Sequence, residues 1–119
     1  MRRSAALFLL LVALRTAPAS AHAILVRSSI GDRPVAADAA AAVTLQFNAG
    51  IEAKLSKVVL IDAQHVERPL SIAPGASAGE LAVDVPALAP GTYGLRYRVL
   101  AADGHLTDGL LKFTVAAAR

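Results

Sequence analysis

The sequence has no cysteine and no tryptophan, and its only methionine is Met1. Without cysteine there is no disulfide to staple the fold, no thiolate to hold a metal and no thiol nucleophile. An exported domain with this composition depends on its own hydrophobic core for stability. No HExxH pair, glycine-rich phosphate loop or nucleophile elbow is present, so those enzyme chemistries have nothing to rest on. Ser28 and Ser29 stand near His22, and Asp103 offers a carboxylate, but no elbow pattern accompanies them. Aromatic residues make up 4% of the chain and the basic residues form no cluster, which removes both the stacking platform and the phosphate track of a nucleic-acid binder. No nucleic-acid partner is expected.

What is present begins with a leader. Arg2 and Arg3 give a positive start, Ala5 to Leu14 an apolar run, and Pro18 precedes the small-x-small sequence Ala19-Ser20-Ala21. These are the parts of a secretory signal peptide. The apolar run is shorter than the roughly 20 residues a membrane-spanning helix needs. Residues 1–21 are therefore expected to be cleaved after Ala21, leaving residues 22–119 as one small exported domain in the periplasm. Cleavage removes Arg2, Arg3 and Arg15, so nine basic residues remain against nine acidic ones and the net charge falls near zero. The basic balance of the whole chain belongs to the leader.

The rest reads as short strands separated by turns, the spacing of an all-β sandwich or barrel. Strands are predicted at Ala23 to Ser28, Val43 to Phe47, Val58 to Ile61 (a continuous apolar run that reads as fully buried), around Leu70 to Ile72, Leu81 to Val85, Thr92 to Leu100, and Leu111 to Val115. Turns are predicted at Gly31-Asp32-Arg33-Pro34, Asp62 to His65, Pro74 to Ser77, Pro86 to Gly91 and Ala101 to His105. Thr92 to Leu100 is the clearest strand. Tyr93, Leu95, Tyr97 and Val99 share one face, and Gly94, Arg96, Arg98 and Leu100 the other. The alanine-rich Ala36 to Ala42 is read as a connector, because Pro34 precedes it and a strand follows.

Histidine is as scarce as methionine: His22, His65 and His105 are all there are. Cleavage after Ala21 would make His22 the N-terminus, with a free α-amine and an imidazole on one residue. Both can grip one ion in a small chelate ring. Near the other end, Asp103-Gly104-His105 places a carboxylate and an imidazole on either side of a glycine that permits a tight turn. In a sandwich the first and late strands can lie side by side, which would unite His22, Asp103 and His105. An amine, two imidazoles and a carboxylate form a nitrogen-rich set that favours tetragonal Cu(II), one ion per mature chain. His65 is assigned to a solvated hairpin turn.

These residues resemble the CopC-like periplasmic copper-binding proteins. The resemblance runs through His22-Ala23-Ile24-Leu25-Val26, Val43-Thr44-Leu45-Gln46-Phe47, Leu88-Ala89-Pro90-Gly91-Thr92-Tyr93, Tyr97 to His105 and Gly109 to Val115. It implies a seven-stranded Greek-key β-barrel related to immunoglobulin-like sandwiches. It also implies Cu(II) held by His22 (amine and ring), Asp103 and His105, a role in copper homeostasis or resistance, and an inner-membrane CopD-type partner. A monomer is expected. Three departures matter. The family's methionine-rich Cu(I) segment corresponds to Asp62 to Pro69, which has His65 but no thioether, so a soft Cu(I) site is not expected. Ala49 stands where some members place a glutamate, and Ser28-Ser29-Ile30 lacks the usual proline.

Other functions remain open on the residues alone. A small histidine-brace copper oxidase or monooxygenase would share the terminal-histidine chemistry. A metal-free immunoglobulin-like module would share the fold. The expectation adopted is a copper-binding protein and not an enzyme.

Overall fold

Apolar residues at every second position give each strand one buried face, and two such faces closed on each other make the molecule. The computed structural model describes residues 23–117. In chain order the elements are β1 (Leu25–Ser28), a one-turn helix α1 (Ser29–Asp32), β2 (Ala41–Phe47), a 3₁₀ turn (Ala53–Leu55), β3 (Lys57–Ile61), β4 (Glu67–Pro69), β5 (Ile72–Pro74), β6 (Glu80–Val85), β7 (Gly91–Leu100) and β8 (Leu106–Val115). They form two four-stranded antiparallel sheets, ordered β1-β2-β6-β5 and β4-β3-β7-β8. The all-β sandwich is the class the sequence predicts, here with eight named strands among the described residues.

The core comes from the inward positions of the long strands. Leu45 and Phe47 of β2, Leu81, Val83 and Val85 of β6, Leu95, Tyr97 and Val99 of β7, and Phe113 and Val115 of β8 are all buried. Each large apolar side chain removed from water contributes about 1.5–3 kcal/mol, which is what a cysteine-free domain has to draw on. Tyr97 packs edge-on against Phe47, centroids 5.3 Å apart. Its cross-strand neighbour is Gly109, where a Cβ would run into the Tyr97 ring. Tyr93 stacks on Phe113 at 5.8 Å and its hydroxyl donates to the Ala89 carbonyl at 2.7 Å, the corner contact of Greek-key sandwiches.

Three predicted elements differ. The strand expected around Leu70 to Ile72 is where the chain changes sheet: the Leu70 N–H donates to Val58 in one sheet, and the Ser71 carbonyl accepts from Asp84 in the other. β4 and β5 flank this crossing, each kept short by a proline at its end, Pro69 and Pro74. The run Val58 to Ile61 is not buried on both faces. Val58 and Leu60 are buried but Val59 and Ile61 only partly, because one face of β3 lies outside the sandwich. The turn expected from Gly31 begins earlier, as α1, closed by Arg33 N–H donating to the Ser29 carbonyl at 2.8 Å.

Candidate metal centre

β7 and β8 form a long hairpin, and Ala101 to His105 is its connection. The Ala101 N–H donates to the His105 carbonyl at 2.8 Å, and the Gly104 N–H to the Ala101 carbonyl at 2.9 Å. Gly104 adopts φ +94°, in the left-handed region that glycine enters at little cost. This folds Asp103 back on His105. Asp103 Oδ1 accepts the His105 N–H at 3.1 Å and lies 3.2 Å from His105 Nδ1. The tight turn that Gly104 permits in the sequence is what brings these two side chains together.

Both side chains are open to solvent, Asp103 at 48% and His105 at 61%. The His105 N–H holds the Asp103 carboxyl below the usual carboxylate range, with the imidazole contact adding in the same direction. Asp103 is therefore an anion at any physiological pH. Asp103 Oδ2 and His105 Nε2 take no part in these contacts, so an oxygen and a ring nitrogen remain for an incoming cation.

Two donors do not make a cation site. Among the described residues no group of three or more His, Asp or Glu side chains is placed to hold a metal. The third expected ligand, His22, lies outside the described residues, as does the leader of residues 1–21. What the structure gives is the position of the chain next to it. Ala23 is fully buried. The Ile24 N–H donates to Asn48 Oδ1 at 2.8 Å, and the Asn48 N–H returns to the Ile24 carbonyl at 3.0 Å. Two residues on, the Gly50 carbonyl accepts from the Ala102 N–H at 2.9 Å, and Ile51 bridges Ala101. The stretch Asn48 to Ile51 thus binds the first described residues on one side and the Asp103 turn on the other. Sequence reasoning missed this staple. Its signal was Asn48-Ala49-Gly50 directly after a strand, a turn composition whose asparagine has a side chain suited to bonding backbone.

His65 lies where the sequence puts it, exposed in the turn after β3, at φ 63°. That turn is at the other end of β7, beside a surface groove of about 660 Å³, which Asp62, Arg68 and the Pro90 loop help to line. Of the serines beside α1, Ser29 is committed to structure: its Oγ accepts the Thr44 N–H at 2.9 Å.

A small Greek-key sandwich with an Asp-Gly-His turn at one end is the class of domain this describes. The chain belongs to the CopC family, whose CopC domain matches residues 25–116. Among solved structures it is similar to CopC from Methylosinus trichosporium OB3b, at 34% identity and a TM-score of 0.69 over 82% of this chain and 97% of that one. It is also similar to PcoC, a methionine-rich copper resistance protein from Escherichia coli, at 28% identity and a TM-score of 0.58 over 79% of this chain and 98% of that one. No curated protein sequence matches it.

Proposed function

We propose that this chain is an exported copper carrier of the periplasm. Cleaved after Ala21, it binds one Cu(II) through the His22 amine and imidazole, Asp103 and His105. It serves copper resistance or homeostasis by sequestering the ion or handing it to an inner-membrane CopD-type partner. The observation that carries this reading is the Asp103–His105 pair, 3.2 Å apart on a turn stapled to the stretch that also holds Ile24. The donor set suits the cargo: hard oxygen and borderline nitrogen donors favour Cu(II), and with no thioether beyond Met1 there is nothing soft to retain Cu(I). In this respect the chain departs from its methionine-rich relative. Each site is built within one chain, so the monomer is the carrying unit. The copper is cargo, and no catalytic step is assigned to it.

The test is a Cu(II) titration followed by EPR, on exported protein whose mass confirms a His22 start. A matched protein with one extra residue before His22 runs beside it. The expected result is one equivalent of tight, nitrogen-rich tetragonal copper that the extended protein loses. Equal binding in both proteins removes the amine from the ligand set. No binding in either leaves a metal-free sandwich and overturns the proposal.

A further inference from the structure

A sheet edge is a row of unpaired backbone N–H and C=O groups, and natural sandwiches guard such rows. Three of the four edges here are short and either end in proline or slip in register. β4 and β5 are three residues long and end in Pro69 and Pro74. β1 is four residues long and its register slips between Leu25 and Arg27. The fourth edge, β8, has ten residues and no proline, and it pairs with β7 without a break from Gly91↔Val115 to Leu100↔Leu106. Within the described residues its open side is met only past its end, where Ala116 bridges Ala36.

The hairpin fixes which groups of β8 face outward. The Ala101 N–H donates to the His105 carbonyl, and the two residues extend the same register. Backbone bonding alternates along an antiparallel pair. Odd-numbered residues of β8 therefore turn their backbone groups to β7, and Leu106, Asp108, Leu110, Lys112 and Thr114 turn theirs to the open edge. The side chains of these same residues stand on the outer face, where Leu106 is 53% and Leu110 49% exposed. Their order is self-complementary. In an antiparallel copy centred on Leu110, Asp108 falls opposite Lys112 of the second copy, Lys112 opposite its Asp108, and leucine meets leucine. Directly opposite cross-strand pairs of unlike charge are favourable, and pairs of like charge are not. Registers centred on Asp108 or Lys112 bring like charges face to face. Asp108 already accepts from Arg98 Nε through Oδ1, which leaves its second oxygen free, and Lys112 has no ion pair among the described residues.

We propose that β8 is a self-association edge: two copies of this chain pair β8 with β8, antiparallel about Leu110, and join their outer sheets into one of eight strands. The antiparallel arrangement sends the two Asp103–His105 turns to opposite ends of the joined strands, so neither copy completes the other's metal turn. One edge strand buries less than a stable interface requires, so the association is weak and the monomer is its dilute limit.

Metal-free processed protein tests this independently of any copper role. Sedimentation velocity up to about 1 mM, the weak limit of specific association, is expected to show concentration-dependent pairing. Amide hydrogen exchange by NMR is expected to show the amides of Leu106, Asp108, Leu110, Lys112 and Thr114 gaining protection on concentration. The odd-numbered amides, already bonded to β7, should not change. K112E breaks no ion pair described within the chain and sets Glu opposite Asp108 of the second copy, so it should weaken pairing about tenfold. A chain that stays monomeric to that limit overturns the proposal. So does pairing that K112E leaves unchanged, or protection gained elsewhere than on the even-numbered amides.

Discussion

Two turns of this molecule carry an aspartate closely followed by a histidine, and they sit at opposite ends of β7. In the Asp62 turn one carboxylate oxygen is taken by backbone alone: Oδ1 accepts the N–H groups of Gln64 and Val66, both at 2.9 Å. The histidine itself takes the left-handed conformation, at φ 63°. In the Asp103 turn a glycine takes that conformation, and one carboxylate oxygen meets both the N–H and the ring of His105. The residue types are the same. What differs is whether the oxygen that takes the backbone N–H also meets an imidazole. Only the second arrangement sets a carboxylate against an imidazole.

The sharpest way to break this comparison is to remove each histidine in turn. His105→Ala is expected to lower Cu(II) affinity more than about 100-fold, since even changes outside the ligand shell commonly cost 10–100-fold. His65→Ala is expected to leave affinity unchanged. Competition against a chromogenic chelator measures both. Equal losses would mean that copper does not choose between the turns, and the ligand assignment would fail.

Removing the aspartates should separate binding from stability. Asp103→Ala is expected to weaken copper binding about 10–100-fold and to cost less stability than the Asp62 change, since its carboxylate accepts one backbone N–H and not two. Asp62→Ala strips the acceptor from two backbone N–H groups and is expected to cost about 1–2 kcal/mol of stability in urea unfolding, with copper affinity intact. The reverse pattern would exchange the roles given to the two turns.

Acid sharpens the same distinction. The His105 N–H depresses the Asp103 carboxyl in the folded state, so Asp103 contributes stability above the ordinary carboxylate range and loses it only as pH falls through its own lowered value. Between about pH 7 and pH 5 Asp103 stays ionised, so weakening of Cu(II) binding there does not come from its carboxylate. Asp103→Asn is then expected to lower affinity at every pH without changing the shape of that dependence. A variant whose copper affinity no longer responds to pH in this window would show that Asp103, not nitrogen, carries it.

How much of this was legible in the sequence depended on the range of the interaction. The face of β7 was readable because Tyr93, Leu95, Tyr97 and Val99 repeat at the period of the pleat, and a strand on a core cannot bury the other set without exposing these. The sheet change at Leu70 was not readable. It depends on Val58 and Asp84 each taking one side of a single peptide, a long-range choice that no local pattern records. The Asp103–His105 contact was legible from the spacing and from Gly104, whose left-handed turn makes it. The staple through Asn48 was missed because its bonds to Ile24 span most of β1 and β2. The proposed share of His22 in the site rests on the terminal-histidine chemistry and on where Ala23 and Ile24 lie.

The smallest effect tests the cause of the difference, which is where each turn puts its left-handed residue. Gly104→Ala meets no atom within 4 Å, so any cost comes from the backbone alone. A left-handed alanine costs roughly 1–2 kcal/mol, and the relaxation that relieves it would pull Asp103 off His105. His65→Gly works in the opposite sense, relieving a side chain held at φ 63°. Its gain is expected to be under about 1 kcal/mol, because the added glycine also loosens the unfolded chain. Thermal unfolding of the metal-free variants should therefore move down for the first and slightly up for the second, with copper affinity falling only for the first. If Gly104→Ala loses stability but keeps full affinity, the pair is held by something other than the left-handed turn, and the contrast between the two turns reduces to which aspartate lies beside an imidazole.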